Sequence, residues 1–101
     1  MDDAALTAAA QKRAEELAAQ ATLSHKRPNG KNFHSVFKEV GIRPKNMAET
    51  TTKAETEAEW DTQMQDEVLQ GHIANELFQK VGIGCVRSTS GTYWAILFVG
   101  Y

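Results

Sequence analysis

The chain has 101 residues, 42% of them hydrophobic, and a formal net charge of −2. That is enough for one domain whose core buries roughly 65% of the extended chain's surface, and it leaves no room for a second core. Its basic residues are scattered apart from Lys26-Arg27, which excludes the coherent basic face nucleic acid needs, and no apolar run approaches the roughly 20 residues of a membrane span.

The first predicted element is a helix. Leu6, Ala10, Ala14, Leu17 and Ala21 share one face, with Lys12, Glu15 and Glu16 mostly opposite. The small alanines let another element approach closely. Met1-Asp2-Asp3 leads straight into this segment, so no signal peptide is expected at its start. His25 to Lys31 reads as a loop closed by Pro28 and the turn pair Asn29-Gly30. In the next predicted helix Phe33, Val36, Phe37 and Val40 recur at three and four, and Gly41 stops it. Residues 42–53 read as irregular, with Pro44 barring a helix and Glu49 in a short strand at most. A third helix is expected from about Lys53, burying Trp60, Met64 and Val68, with Gly71 interrupting it before a last short helix holding His72, Ile73 and Leu77.

The C-terminus carries the clearest β pattern. Val81, Ile83 and Cys85 alternate with Gly82, Gly84 and Val86, which predicts that the first set faces the core. Ser88-Thr89-Ser90-Gly91 makes a turn, and Tyr93 to Tyr101 is a continuous apolar and aromatic run, as in a strand buried on both faces. Such a strand needs cover on both sides, so helices and sheet form a layered sandwich. The lone Cys85 excludes an internal disulfide and is expected to be a buried, inert thiol.

Three side chains stand out for chemistry. His25 lies in Ser24-His25-Lys26-Arg27-Pro28-Asn29-Gly30, His72 in Gly71-His72-Ile73-Ala74-Asn75, and Glu49 in Met47-Ala48-Glu49-Thr50. Two imidazoles and a carboxylate from separate elements make a three-ligand metal site, an acid–base pair, or buried hydrogen-bonding groups that tie the fold together. His34 and Glu76 read as surface residues. Ser24 beside His25 in sequence does not place its hydroxyl on the imidazole, and no glycine-x-serine-x-glycine elbow occurs. Trp60, Trp94, Phe98 and Phe37 read as core before they read as a lipid pocket.

The same clusters, in this order, resemble the CAP superfamily of SCP-like extracellular proteins, which includes cysteine-rich secretory proteins, venom antigens and pathogenesis-related proteins. Ala9 to Ala18 is similar to that family's first helix, and Leu23-Ser24-His25 with Arg27-Pro28-Asn29-Gly30 resembles its histidine loop. Glu49, Gly71-His72 with Asn75, and the last hairpin (Val81 to Cys85, Tyr93 to Phe98) match its remaining motifs. The resemblance implies an α+β fold, a three-layer α–β–α sandwich around a central antiparallel sheet. It makes residues 1–101 a single domain of bacterial type, shortened at its N-terminus. It further implies a cleft of His25, Glu49 and His72, in which His25 and His72 hold a divalent metal such as zinc and Glu49 is the candidate base.

The departures bear on function. Glu49 lacks the family's glycine and asparagine neighbours. In Trp60-Asp61-Thr62-Gln63 a neutral amide stands where many relatives have a second glutamate, and Glu67 is a weak replacement. The expected function is therefore a secreted or cell-envelope module without catalytic activity. Its partner is expected to be a lipid, another small apolar ligand, or a surface protein, and the domain a monomer. The alternatives are a metal-dependent, protease-like hydrolase and an interaction domain of a larger surface protein.

Overall fold

The computed structural model describes residues 4–28 and 30–101, except the side chains of Glu57, Glu67 and Val68. Asn29 of the predicted turn pair lies outside the described residues. Among the described residues seven elements follow in order: α1 (Ala4–Gln20), α2 (Ser35–Glu39), β1 (Asn46–Lys53), α3 (Glu57–Met64), α4 (Glu67–Ala74), β2 (Lys80–Ser88) and β3 (Gly91–Gly100). The three strands form one antiparallel sheet in the order β1-β3-β2, with the long apolar strand in the middle.

Alternation along β3 divides the core between the two faces. Leu97 and Val99 pack with Leu6, Ala9 and Ala10 of α1 and with Val36 and Phe37 of α2, while Tyr93 and Ala95 meet Ala14 and Leu17. Ile96 and Phe98 point the other way, onto Leu69 of α4, with Trp60 and Met64 of α3 alongside. Ile96 and Leu97, neighbours on opposite faces, are 2% and 0% exposed. This is the expected sandwich, with helices on both sides of a doubly buried strand.

The local endings have identifiable causes. In α2, the amides of Gly41 and Ile42 donate to the carbonyls of Lys38 and Phe37 at 3.2 and 3.0 Å, with Gly41 at φ 80. That is a Schellman stop with glycine in its left-handed position. The end of α1 repeats the pattern, from Ala21 to Ala18 and from Thr22 to Leu17, but the left-handed residue is Ala21 at φ 52. Ala21 therefore leaves the buried face predicted for it and is exposed. An alanine there is strained by roughly 1 kcal/mol, so Ala21→Gly should stabilise the domain by about that much. A matching rise in the urea midpoint at unchanged m-value would verify it.

Three sequence expectations are corrected. Residues 46–53 form a full strand, because Asn46 to Lys53 pairs residue by residue with Gly100 to Tyr93. The helix expected from Lys53 starts at Glu57, where the Thr56 hydroxyl caps the Glu59 amide at 3.1 Å. It is interrupted at Gln65-Asp66, where the Asp66 carboxylate accepts from the Leu69 amide at 3.2 Å and starts α4. Gly71 lies inside α4, and Leu77 lies beyond the helix.

The third correction concerns β2. Gly82 and Gly84 face α1, while Val81 and Ile83, expected in the core, are 49% and 47% exposed and Cys85 is half-buried. The cause is close approach. A Cβ on Gly84 would sit 2.3 Å from the carbonyl carbon and oxygen of Ala10, and one on Gly82 would sit 2.8 Å from Leu6. The Gln11 side-chain amide completes the contact. It donates to the Cys85 carbonyl at 3.0 Å and accepts from the Cys85 amide at 3.1 Å, covering that point of the sheet edge.

Candidate functional site

The α1 face of the sheet holds a chain of alternating charges. Arg13 projects from α1 into full burial at 0% exposure, and Glu49 meets it from β1 at 6%. The Arg13 guanidinium donates through Nε to Glu49 Oε2 at 2.6 Å and through Nη2 to Glu49 Oε1 at 3.0 Å, a bidentate pair. Its remaining donors reach Glu16 at 2.7 Å and the Ser24 carbonyl at 2.6 Å.

His25 completes the site at the surface. Its Nδ1 lies 2.9 Å from Glu49 Oε1, its ring packs on Phe33, and its side chain is 60% exposed. The loop that carries it is held by Arg27, only 4% exposed, which bridges Glu16 of α1 and Glu39 of α2 and also donates to the Ser35 hydroxyl. Lys12 pairs with Glu39 at the outer end. The network thus runs Lys12–Glu39–Arg27–Glu16–Arg13–Glu49–His25 and joins three elements and a loop.

These pairings set the charges. Burial alone would lower the Arg13 pKa, but the hydrogen bonds it donates to Glu49 and Glu16 outweigh that and leave it raised. Burial likewise works to raise Glu16, and the hydrogen bonds from Arg27 and Arg13 override it and lower it. Hydrogen bonds from Arg27 and then Lys12 hold Glu39 down at about 2, against 4.5 for a free glutamate. A carboxylate with a depressed folded pKa contributes stability above its unfolded pKa and loses it as pH falls through the folded value. The unfolding temperature should therefore drop between about pH 4.5 and pH 2. Arg27→Gln should flatten that drop, as thermal melts at stepped pH would show.

The structure brings together two of the three candidate residues. His25 and Glu49 meet. His72, in the last turn of α4, packs its ring on Phe78 and Phe98 at centroid distances of 5.6 and 5.4 Å. Phe98 belongs to the α4 face, whereas Glu49 is registered opposite Leu97 on the α1 face, so the sheet itself lies between His72 and the other two.

A zinc site spanning His25 and His72 does not fit this arrangement. The Glu49 charge is already matched by a guanidinium, and among the described residues no three His, Cys, Asp or Glu side chains converge as metal ligands. Gln63 is exposed on α3, and the side chain of Glu67 lies outside the described residues. Ser24 contributes its carbonyl to Arg13 and its hydroxyl to the Lys26 amide, and nothing to the imidazole.

Arg13 is the residue the sequence reading missed. Its signal was present: an arginine on the same helical stripe as Leu6, Ala10, Ala14 and Leu17 has to be buried with a partner.

The comparisons with known proteins agree with this fold. An extracellular protein containing an SCP domain from Bacillus anthracis superimposes with a TM-score of 0.80 at 13% identity, over 96% of this chain and 32% of that one. This chain thus spans about a third of the Bacillus protein. An outer surface protein from Borrelia burgdorferi superimposes with a TM-score of 0.81 at 16% identity, over 98% of this chain and 74% of that one. No curated protein matches the sequence. The profile of the cysteine-rich secretory protein family, CAP, matches residues 3–101, and with that near-complete match the chain belongs to the CAP family.

Proposed function

We propose that this domain is a non-catalytic binding module that works outside the cell or at its surface. The observation that carries the reading is the Arg13 clamp on Glu49. A general base must offer a free lone pair to the substrate's proton, with a pKa near the operating pH. Both Glu49 oxygens are instead taken up by a buried guanidinium, and one also faces His25. This is the arrangement of a structural ion pair that anchors the histidine loop to the sheet. The extracellular and outer-surface descriptions of the two structural neighbours support the location. The net charge of −2 argues against a nucleic-acid partner, and among the described residues no helix is long and apolar enough to cross a membrane.

Apolar surface for a partner is present on the α3–α4 face, where Ile73, Val81 and Ile83 are 47–58% exposed. The same strip favours a second reading, an interaction domain of a larger surface protein. In the Bacillus neighbour the matching region is about a third of the chain.

A panel of peptides and esters, with zinc added, should give only background rates. Zinc affinity should be the same in His72→Ala as in the wild type, since His72 stands on the far face from His25. Turnover that disappears in both Glu49→Gln and His72→Ala would overturn the reading in favour of a metal-dependent hydrolase.

A further inference from the structure

On the face opposite the His25–Glu49 pair, an open cleft of about 560 Å³ lies where α3 crosses the end of the hairpin, within the usual range for small-ligand sites. Strand register builds its floor. Cys85 is opposite Trp94 and Arg87 opposite Thr92, so these side chains share the α3–α4 face of β2 and β3. Trp60 of α3 leans on Trp94 with centroids 4.2 Å apart and planes at 39°, and the Trp94 Nε1 donates to the Ala54 carbonyl at 3.2 Å, which holds the ring in place. Both indoles stay half-exposed to the cleft.

The rim is polar, and among the described residues that line it Arg87 and Glu55 carry the charge. Glu55 accepts from the Thr92 amide at 2.7 Å and from its hydroxyl at 3.3 Å, which leaves its carboxylate with further acceptor capacity. Arg87 is exposed, and among the described residues no carboxylate pairs with its guanidinium. An aromatic floor between one five-donor fork and one acceptor suits a ligand with a flat apolar face and hydroxyls at its edges. A sugar ring has that shape. A nucleotide would also stack, but its phosphates would meet the Glu55 carboxylate, with Arg87 the one cation among the described lining residues to offset it. An acyl chain would make no use of the polar rim, and an open cleft would leave much of its apolar surface in water.

We propose that the Trp60–Trp94 cleft, flanked by Arg87 and Glu55, binds a neutral oligosaccharide, an inference that rests on the binding-module reading and gives it a site. Trp60 and Trp94 are the only two tryptophans, so all intrinsic indole fluorescence comes from the cleft. Titration of the whole domain with cellotetraose, chitotetraose and mannotetraose should give a saturable fluorescence change with at least one of them. That binding should weaken about tenfold in Arg87→Gln and at least severalfold in Trp60→Phe, and stay unchanged in Lys38→Gln on the opposite face. Matching far-UV circular dichroism and unfolding midpoints would verify that the variants remain folded, and exposed Arg87 allows a folded test whatever Trp60→Phe does. Silence from all three sugars up to about 10 mM would overturn the proposal. So would binding that neither variant weakens. Palmitate binding with the sugars silent would overturn it while leaving the binding-module reading intact, whereas peptide or ester turnover would bring down that reading.

Discussion

Arg13→Met should lower the unfolding free energy by about 3–5 kcal/mol, because it leaves a buried charge without its partner. Methionine fills most of the volume, so the loss is electrostatic rather than a cavity. In the variant the Glu49 carboxylate, with its side chain at 0% exposure, keeps only the imidazole of His25, and the Ser24 carbonyl loses its 2.6 Å donor. A domain of this size has roughly 5–15 kcal/mol in total, so the variant stands close to unfolding. Replacing both partners removes the unpaired charge, and Arg13→Met with Glu49→Leu should recover most of the loss. A double-mutant cycle in urea measures this directly. Two losses that simply add would mean that the pair is not coupled and that the site is held in some other way.

Gly84→Ala should be nearly as damaging, at about 3 kcal/mol, for a steric reason. The added methyl would sit 2.3 Å from the Ala10 carbonyl and 2.4 Å from the Gln11 amide nitrogen. These are backbone atoms of a helix and cannot swing aside as a flexible side chain would, so α1 has to lift away from β2. Lifting it separates Leu6, Ala10 and Ala14 from the sheet and withdraws Gln11 from Cys85. The Cys85 amide should then exchange its hydrogen faster, alongside a lower melting temperature. Gly71→Ala is the control. Nothing lies within 4 Å of a Cβ at that position inside α4, so it should be neutral or stabilising by up to about 1 kcal/mol. Equal effects at the two glycines would rule out close helix approach as the reason for Gly84.

Much of the fold was legible in the sequence because it rests on local rules. The alanine-rich stripe of α1, the Gly41 stop of α2, the Ser88–Gly91 turn and the continuous apolar run of β3 each follow from propensity and periodicity. So did the need for helices on both faces, since Ile96 and Leu97 cannot both be buried without them. The start of α3 was also written locally, in Thr56 and Glu59, although the helix was expected from about Lys53.

Tertiary structure decided three things that no local rule contains. Strand β2 turns its glycines inward and its valine and isoleucine outward, because the distance of α1 from the sheet admits no side chain there. Hydrophobicity alone chooses the opposite face. His25 and His72 belong to motifs that resemble parts of one cleft, yet β3 passes between them, and side-chain direction on a strand depends on register rather than on motif order. Glu49 looks like a free carboxylate in sequence, and only the packing of α1 on β1 places the buried Arg13 guanidinium against it. Within a chain, charge and periodicity specify which elements form, whereas the pairing of a buried charge is set where two distant elements meet in a low-dielectric interior.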